Sequence, residues 1–119
     1  VLVVDEDVEV RHQLEQIVDR YGGIATTTPC PQRAVAFSSR VRPNVVISDL
    51  HLGNGEGGVW LLDELRSGPL AQVPVIAMGP AKTDQDLADV LPFSAFIAKP
   101  VDAQELCALI LGVVDRRSS

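Results

Sequence analysis

Five short apolar runs, each closed off by polar, Gly or Pro residues, alternate with stretches of helical periodicity over 119 residues. This alternation limits the possible folds more than any other feature of the chain. The runs are Val1 to Val4, Ile24 to Thr27, Val45 to Ser48, Val73 to Met78 and Ala95 to Ala98, all of strand length and most rich in β-branched residues. Strands separated by helices in this way require right-handed crossovers, and therefore a parallel sheet covered by helices on both faces.

The intervening segments carry helix signals of their own. Val10, Leu14, Ile17, Val18 and Tyr21 fall on one helical stripe, with Asp7 as N-cap and Gly22-Gly23 as a stop. A second helix starts near Pro31 and ends before Pro43, with Ala34, Val35 and Phe37 turned inward. A third spans Gly58 to Arg66 with Val59, Leu62 and Leu65 inside, and Ser67-Gly68-Pro69 breaks it. A fourth is expected from Thr83 to Leu91, carrying three aspartates that read as a solvated face. The last opens on a capping box, Asp102 and Glu105, and repeats Leu106, Leu109, Ile110 and Val113 at helical spacing.

A chain of this size with 46% hydrophobic residues makes one domain with a core. It reads as one unit over residues 1–119, compatible with excision from a longer protein because Val1 already lies inside a strand-like run. Ten Lys and Arg against sixteen Asp and Glu leave a net charge of -6, which argues against direct nucleic-acid binding. No run reaches the roughly 20 apolar residues that span a bilayer, so the expectation is a soluble, cytoplasmic domain without a membrane partner. Cys30 and Cys107 lack metal-ligand spacing and read as reduced structural cysteines.

The chemistry lies at the ends of the apolar runs. Asp5-Glu6-Asp7 follows the first, Asp49 the third and Lys99 the fifth, and in a parallel sheet these ends open on one crevice. With the first and third strands adjacent, Asp5, Glu6 and Asp49 would lie within a few ångströms of one another. Such like charges either raise a carboxylate pKa or recruit a cation, and Mg²⁺ suits oxygen ligands and retained waters. Lys99 can pair with Asp49 or with a phosphoryl oxygen.

Val-Leu-Val-Val-Asp5-Glu6-Asp7, Val-Val-Ile-Ser-Asp49-Leu-His-Leu and Phe96-Ile-Ala-Lys99-Pro100, in this order and spacing over essentially the whole chain, resemble the receiver domain of two-component response regulators. The resemblance implies a flavodoxin-like α/β fold, a five-stranded parallel sheet of order 2-1-3-4-5 with helices on both faces. It implies that Asp49 accepts a phosphoryl group from the phosphohistidine of a histidine kinase or phosphotransfer protein, and that a downstream output domain or protein reads the changed surface. Asp5 and Glu6 would hold Mg²⁺ together with Asp49 and the backbone carbonyl of His51. Lys99 would contact the phosphoryl group, and the Lys99-Pro100 peptide would be cis. Such a domain phosphorylates itself from a phosphodonor in the presence of Mg²⁺ but is a signalling module, not a turnover enzyme.

The chain departs from the family pattern at the switch positions. Gly79 stands where a Ser or Thr hydroxyl ends the fourth strand, and Pro80, which follows, has no N–H to give. The aromatic position three before the lysine holds Phe96, which lacks a hydroxyl. The segment Gly53-Asn54-Gly55-Glu56-Gly57-Gly58 replaces a common Pro-containing turn, is one residue longer, and is expected to be mobile. These departures favour, as the alternative, a pseudo-receiver that binds partners constitutively. A third possibility is the opening motif of haloacid-dehalogenase-type phosphatases, with Asp5 as nucleophile and Asp7 as acid/base, but it leaves Asp49 without a role. His51 is either a gate beside Asp49 or a plain loop residue, His12 is read as solvated, and Trp60 is either an exposed contact point or folded under the glycine segment.

Overall fold

The computed structural model of the protein describes residues 1–52, 57–68, 70–80, 86, 88 and 91–118, with residues 116–118 in backbone only. The described strands are β1 (Leu2–Val4), β2 (Thr26–Thr28), β3 (Val46–Asp49), β4 (Val75–Gly79) and β5 (Ala95–Ala98). The helices among the described residues are α1 (Val8–Arg20), α2 (Pro31–Val41), α3 (Gly57–Ser67) and α4 (Ala103–Ser118). All strand pairs are parallel, and the sheet order is β2-β1-β3-β4-β5. This is the flavodoxin-like arrangement, with the order reversing between β1 and β3.

Successive strand residues point to opposite faces, so the short runs feed two cores. Val3, Ile47, Ile76, Met78 and Ile97 meet Leu14 and Ile17 of α1 and Leu106 and Val113 of α4 on one face. Leu2, Val4, Val46 and Val75 meet Ala34 of α2 and Leu61, Leu62 and Leu65 of α3 on the other. Burial on both sides explains why the runs read as continuous hydrophobic stretches rather than alternating ones.

The caps are as expected at two helices. Asp7 is the N-cap of α1 and accepts from the Glu9 amide at 2.9 Å, and Asp102 Oδ2 accepts from the Glu105 amide at 2.9 Å at the start of α4. Several inward assignments shift. Tyr21 is 57% exposed, because α1 has already ended and Gly22, at φ 86°, turns the chain away from the core. Ile24, expected in the second strand, is 84% exposed and lies outside β2.

On α3 the buried stripe is Gly58, Leu61, Leu62 and Leu65, while Val59 is half-buried and Trp60 is 38% exposed. The stripe is rotated because Gly58 sits against the end of β3. A Cβ there would lie 2.6 Å from the Asp49 carbonyl oxygen and 2.7 Å from the Leu50 Cα, so only glycine lets the helix start at this place. Gly58 thus lies at the start of α3 as expected, Gly57 joins the helix as well, and residues 53–56 of the glycine segment lie outside the described residues. The helix expected from Thr83 to Leu91 falls largely outside them as well, although Asp86 and Ala88 are helical. Val35 and Phe37 of α2 are half-buried against the second core, and Ser38 is buried with its hydroxyl donating to the Val35 carbonyl at 2.7 Å. Cys30 and Cys107 are both free thiols, half-buried. No helix among the described residues is long and apolar enough to cross a membrane.

Candidate functional site

Asp5 follows β1 directly and is only 1% exposed. Its amide continues the ladder by donating to the Thr28 carbonyl at 3.2 Å, and its Oδ1 accepts from the Asp7 amide at 2.8 Å. The Asp5 carbonyl, at the point where the chain leaves the sheet, accepts from Arg11 Nη1 at 2.7 Å. On the neighbouring strand Val4 is in register with Ser48, which brings Asp49, the last residue of β3, beside Asp5. Asp49 Oδ1 accepts from the His51 amide at 3.2 Å.

Lys99 comes from two strands away. Its amide donates to the Gly79 carbonyl at 2.9 Å, and the Lys99-Pro100 peptide that follows is cis. The side chain spans the end of β4, where Gly79 carries no side chain, and its ammonium reaches Asp5 Oδ2 at 2.8 Å and Asp49 Oδ2 at 3.5 Å. Residues from the ends of the first, third and fifth strands therefore meet at one edge. Asp5, not Asp49, is the nearer partner of the lysine.

Two carboxylates on one ammonium leave the crevice with an excess of negative charge. Partial burial pulls the Lys99 pKa down, but the Asp5 hydrogen bond and the Asp49 and Asp5 charges outweigh it, so the lysine holds its proton above the ordinary value. Asp5 Oδ2 is buried and, apart from that ammonium, has no hydrogen-bond partner. Glu6 is exposed directly after Asp5, and among the described residues no three His, Cys, Asp or Glu side chains form a group that could hold a metal ion. The acidic pair still fits Mg²⁺, which keeps several waters and needs only one or two carboxylates beside substrate oxygens. A buried carboxylate oxygen that lacks a second donor is the observation that speaks for it.

A family model described as the response regulator receiver domain matches residues 1–111. The chain belongs to that family. Receiver domains are signalling modules and not turnover enzymes. The chain is similar, at 29% identity over 113 residues covering 92% of it and 86% of the relative, to an uncharacterized 14.6 kDa protein of Leptolyngbya boryana. It is 26% identical over 121 residues to a probable transcriptional regulator, ycf29, of Cyanophora paradoxa, and there the match covers 99% of this chain but 57% of that protein. Among solved structures, a putative response regulator of Chloroflexus aurantiacus superposes with a TM-score of 0.88 at 22% identity, covering 97% of this chain and 96% of the other, a likeness of fold.

The divergent positions Gly79, Pro80 and Phe96 lie among the described residues. Gly79 is the buried last residue of β4, paired with Ala98, and Pro80 follows it exposed. Phe96 is half-buried against a small cluster of Leu50, Ala77 and Ala88. His51 is exposed directly after Asp49 and Leu50, and His12 is exposed on α1 beside Gln16, at 3.1 Å. Two residues at the site escaped sequence reasoning. Arg11 gives no signal because an arginine on an exposed helix looks like any solvated charge, and Gly58 was hidden among the other glycines of its segment.

Proposed function

We propose that this receiver domain takes a phosphoryl group on Asp49 from the phosphohistidine of a histidine kinase or phosphotransfer protein and presents a changed surface to an output domain or protein. An Asp49 carboxylate oxygen would form the new O–P bond as the donor's N–P bond breaks, and the imidazole leaves with a proton. Asp5, Glu6, Asp49 and the His51 carbonyl would hold Mg²⁺, which when bound neutralises charge on the phosphoryl oxygens. Lys99 would move its ammonium onto a phosphoryl oxygen. The reading is carried by one observation, the convergence of Asp5 and Asp49 on Lys99, with no donor other than that ammonium at the buried Asp5 Oδ2. The relationship to a probable transcriptional regulator supports an output in gene control, exerted through a partner or an attached segment in the cytoplasm and not by this acidic surface itself.

A second reading is favoured by Gly79 and Pro80. With no hydroxyl and no N–H at the end of β4, two donors toward a phosphoryl group are missing, each worth roughly 1.5 to 3 kcal/mol when charge-assisted. The domain would then act as a pseudo-receiver, a constitutive binding module. Intact mass after incubation with Mg²⁺ and a small phosphodonor separates the two, run on this chain and on Asp49→Asn. One phosphoryl group that disappears in the variant supports the phosphoacceptor. Absence of label on a folded parent protein moves the conclusion to the pseudo-receiver.

A further inference from the structure

We infer that Arg11 is a positioning residue for the acidic turn, holding Asp5 so that its Oδ2 faces the crevice where a divalent cation binds. The inference rests on the function proposed above and deepens it by naming what prepares the cation's carboxylate.

The turn between β1 and α1 is closed by three contacts. Arg11 Nη1 donates to the Asp5 carbonyl at 2.7 Å, the Arg11 amide donates to the Asp7 carbonyl at 3.1 Å, and the Asp7 amide donates to Asp5 Oδ1 at 2.8 Å. The Asp5 carbonyl leaves the sheet at this point, and a partly buried carbonyl needs a partner. A guanidinium supplies a charge-assisted one. With Oδ1 committed to the Asp7 amide, the carboxylate is oriented, and Oδ2 is the oxygen left to face Lys99 at 2.8 Å. Arg11 is half-buried at the start of α1, whose N-cap Asp7 fixes the helix relative to the turn.

The sign of one effect separates positioning from simple electrostatics. Arg11 is a cation close to an acidic site, so by Coulomb's law alone its removal tightens Mg²⁺ binding. If Arg11 positions Asp5, removal loosens it, because the carboxylate is no longer held toward the crevice.

The experiment uses the whole chain as the parent protein, Arg11→Met, which keeps a long apolar stem, and Arg11→Lys, which keeps the charge without the planar guanidinium. Mg²⁺ affinity is measured by calorimetric titration, and amide hydrogen exchange is followed at Asp7 with the β4 amides as reference. Arg11→Met is expected to bind Mg²⁺ about tenfold more weakly, the ratio equivalent to about 1.4 kcal/mol, with exchange faster at Asp7 and unchanged in β4. Arg11→Lys falls between. Unchanged or tighter Mg²⁺ binding in Arg11→Met overturns the inference. If Arg11→Met does not fold, Arg11→Lys carries the same two readings. If the parent protein itself neither binds Mg²⁺ nor takes a phosphoryl label, the proposed function falls, and exchange at Asp7 alone decides whether Arg11 holds the turn.

Discussion

The ends of β1 and β3 and the end of β4 sit side by side at the same edge of the sheet, yet they are equipped very differently. The first pair brings Asp5 and Asp49 onto Lys99, with every contact charged and directional. The β4 end offers Gly79, whose only polar contribution toward Lys99 is its backbone carbonyl, and then Pro80, which has no N–H. Under the proposed function, capturing a charged group and responding to it would fall to different strand ends. The one needs fixed charges at strand ends, while the other needs a mobile side chain that follows the captured group.

Removing the ammonium is the strongest test of the charged half. Lys99→Met leaves the buried Asp5 carboxylate facing Asp49 without a counter-ion, and a loss of about 2 kcal/mol in unfolding free energy is expected. That is below the 3–5 kcal/mol of a fully buried pair because the lysine is partly open to solvent. Addition of Mg²⁺ should restore part of it, since one cation can replace another between the carboxylates. Urea unfolding of the variant with and without Mg²⁺ checks both statements, and indifference to Mg²⁺ would remove the cation site from the crevice.

Giving the β4 end what it lacks should have a smaller effect. The double variant Gly79→Thr with Pro80→Ala supplies a hydroxyl and an N–H. It is expected to widen the set of backbone amide resonances that shift when a phosphoryl mimic binds, by strengthening coupling between the site and β5 by up to about tenfold. If the parent already shows shifts as wide as the variant, the contrast between the two strand ends has no functional content.

The smallest expected effect is in alkaline solution. The Lys99 pKa is raised above its ordinary 10.5, so the native state holds this proton more tightly than the unfolded chain. Its contribution is complete below about 10.5 and is lost as pH rises through the raised value. Thermal melts from pH 9 upward should therefore fall less steeply in Lys99→Met than in the parent. An equal slope would place the alkaline loss in other groups.

Much of the charged half was legible in the sequence, and the reason is topological. A charge ending an apolar run goes to the carboxyl end of a strand, and in a parallel sheet all such ends share one edge. Hence Asp5, Asp49 and Lys99 could be brought together on paper. Glu6 follows Asp5 in the turn where Arg11 and the Asp7 amide bond to Asp5, and its exposure there depends on the path of the turn and not on the strand pattern. Helical periodicity puts the α3 stripe a fraction of a turn from where it lies, because spacing does not reveal which backbone the helix must abut. At Tyr21 the spacing of the α1 stripe continues although the helix does not.

The sequence by itself determined the class of fold, the two-sided burial of the strands and the absence of a hydroxyl and an N–H at Gly79 and Pro80. These depend on local pattern and residue chemistry, which need no coordinates. Only the tertiary structure decided that Lys99 lies nearer Asp5 than Asp49, that Arg11 ties down the acidic turn, and that Gly58 abuts the Asp49 carbonyl. Those are matters of how side chains and backbone from different elements meet in space. Such distances are set by how helices and strands settle against one another, and no spacing along the chain encodes them.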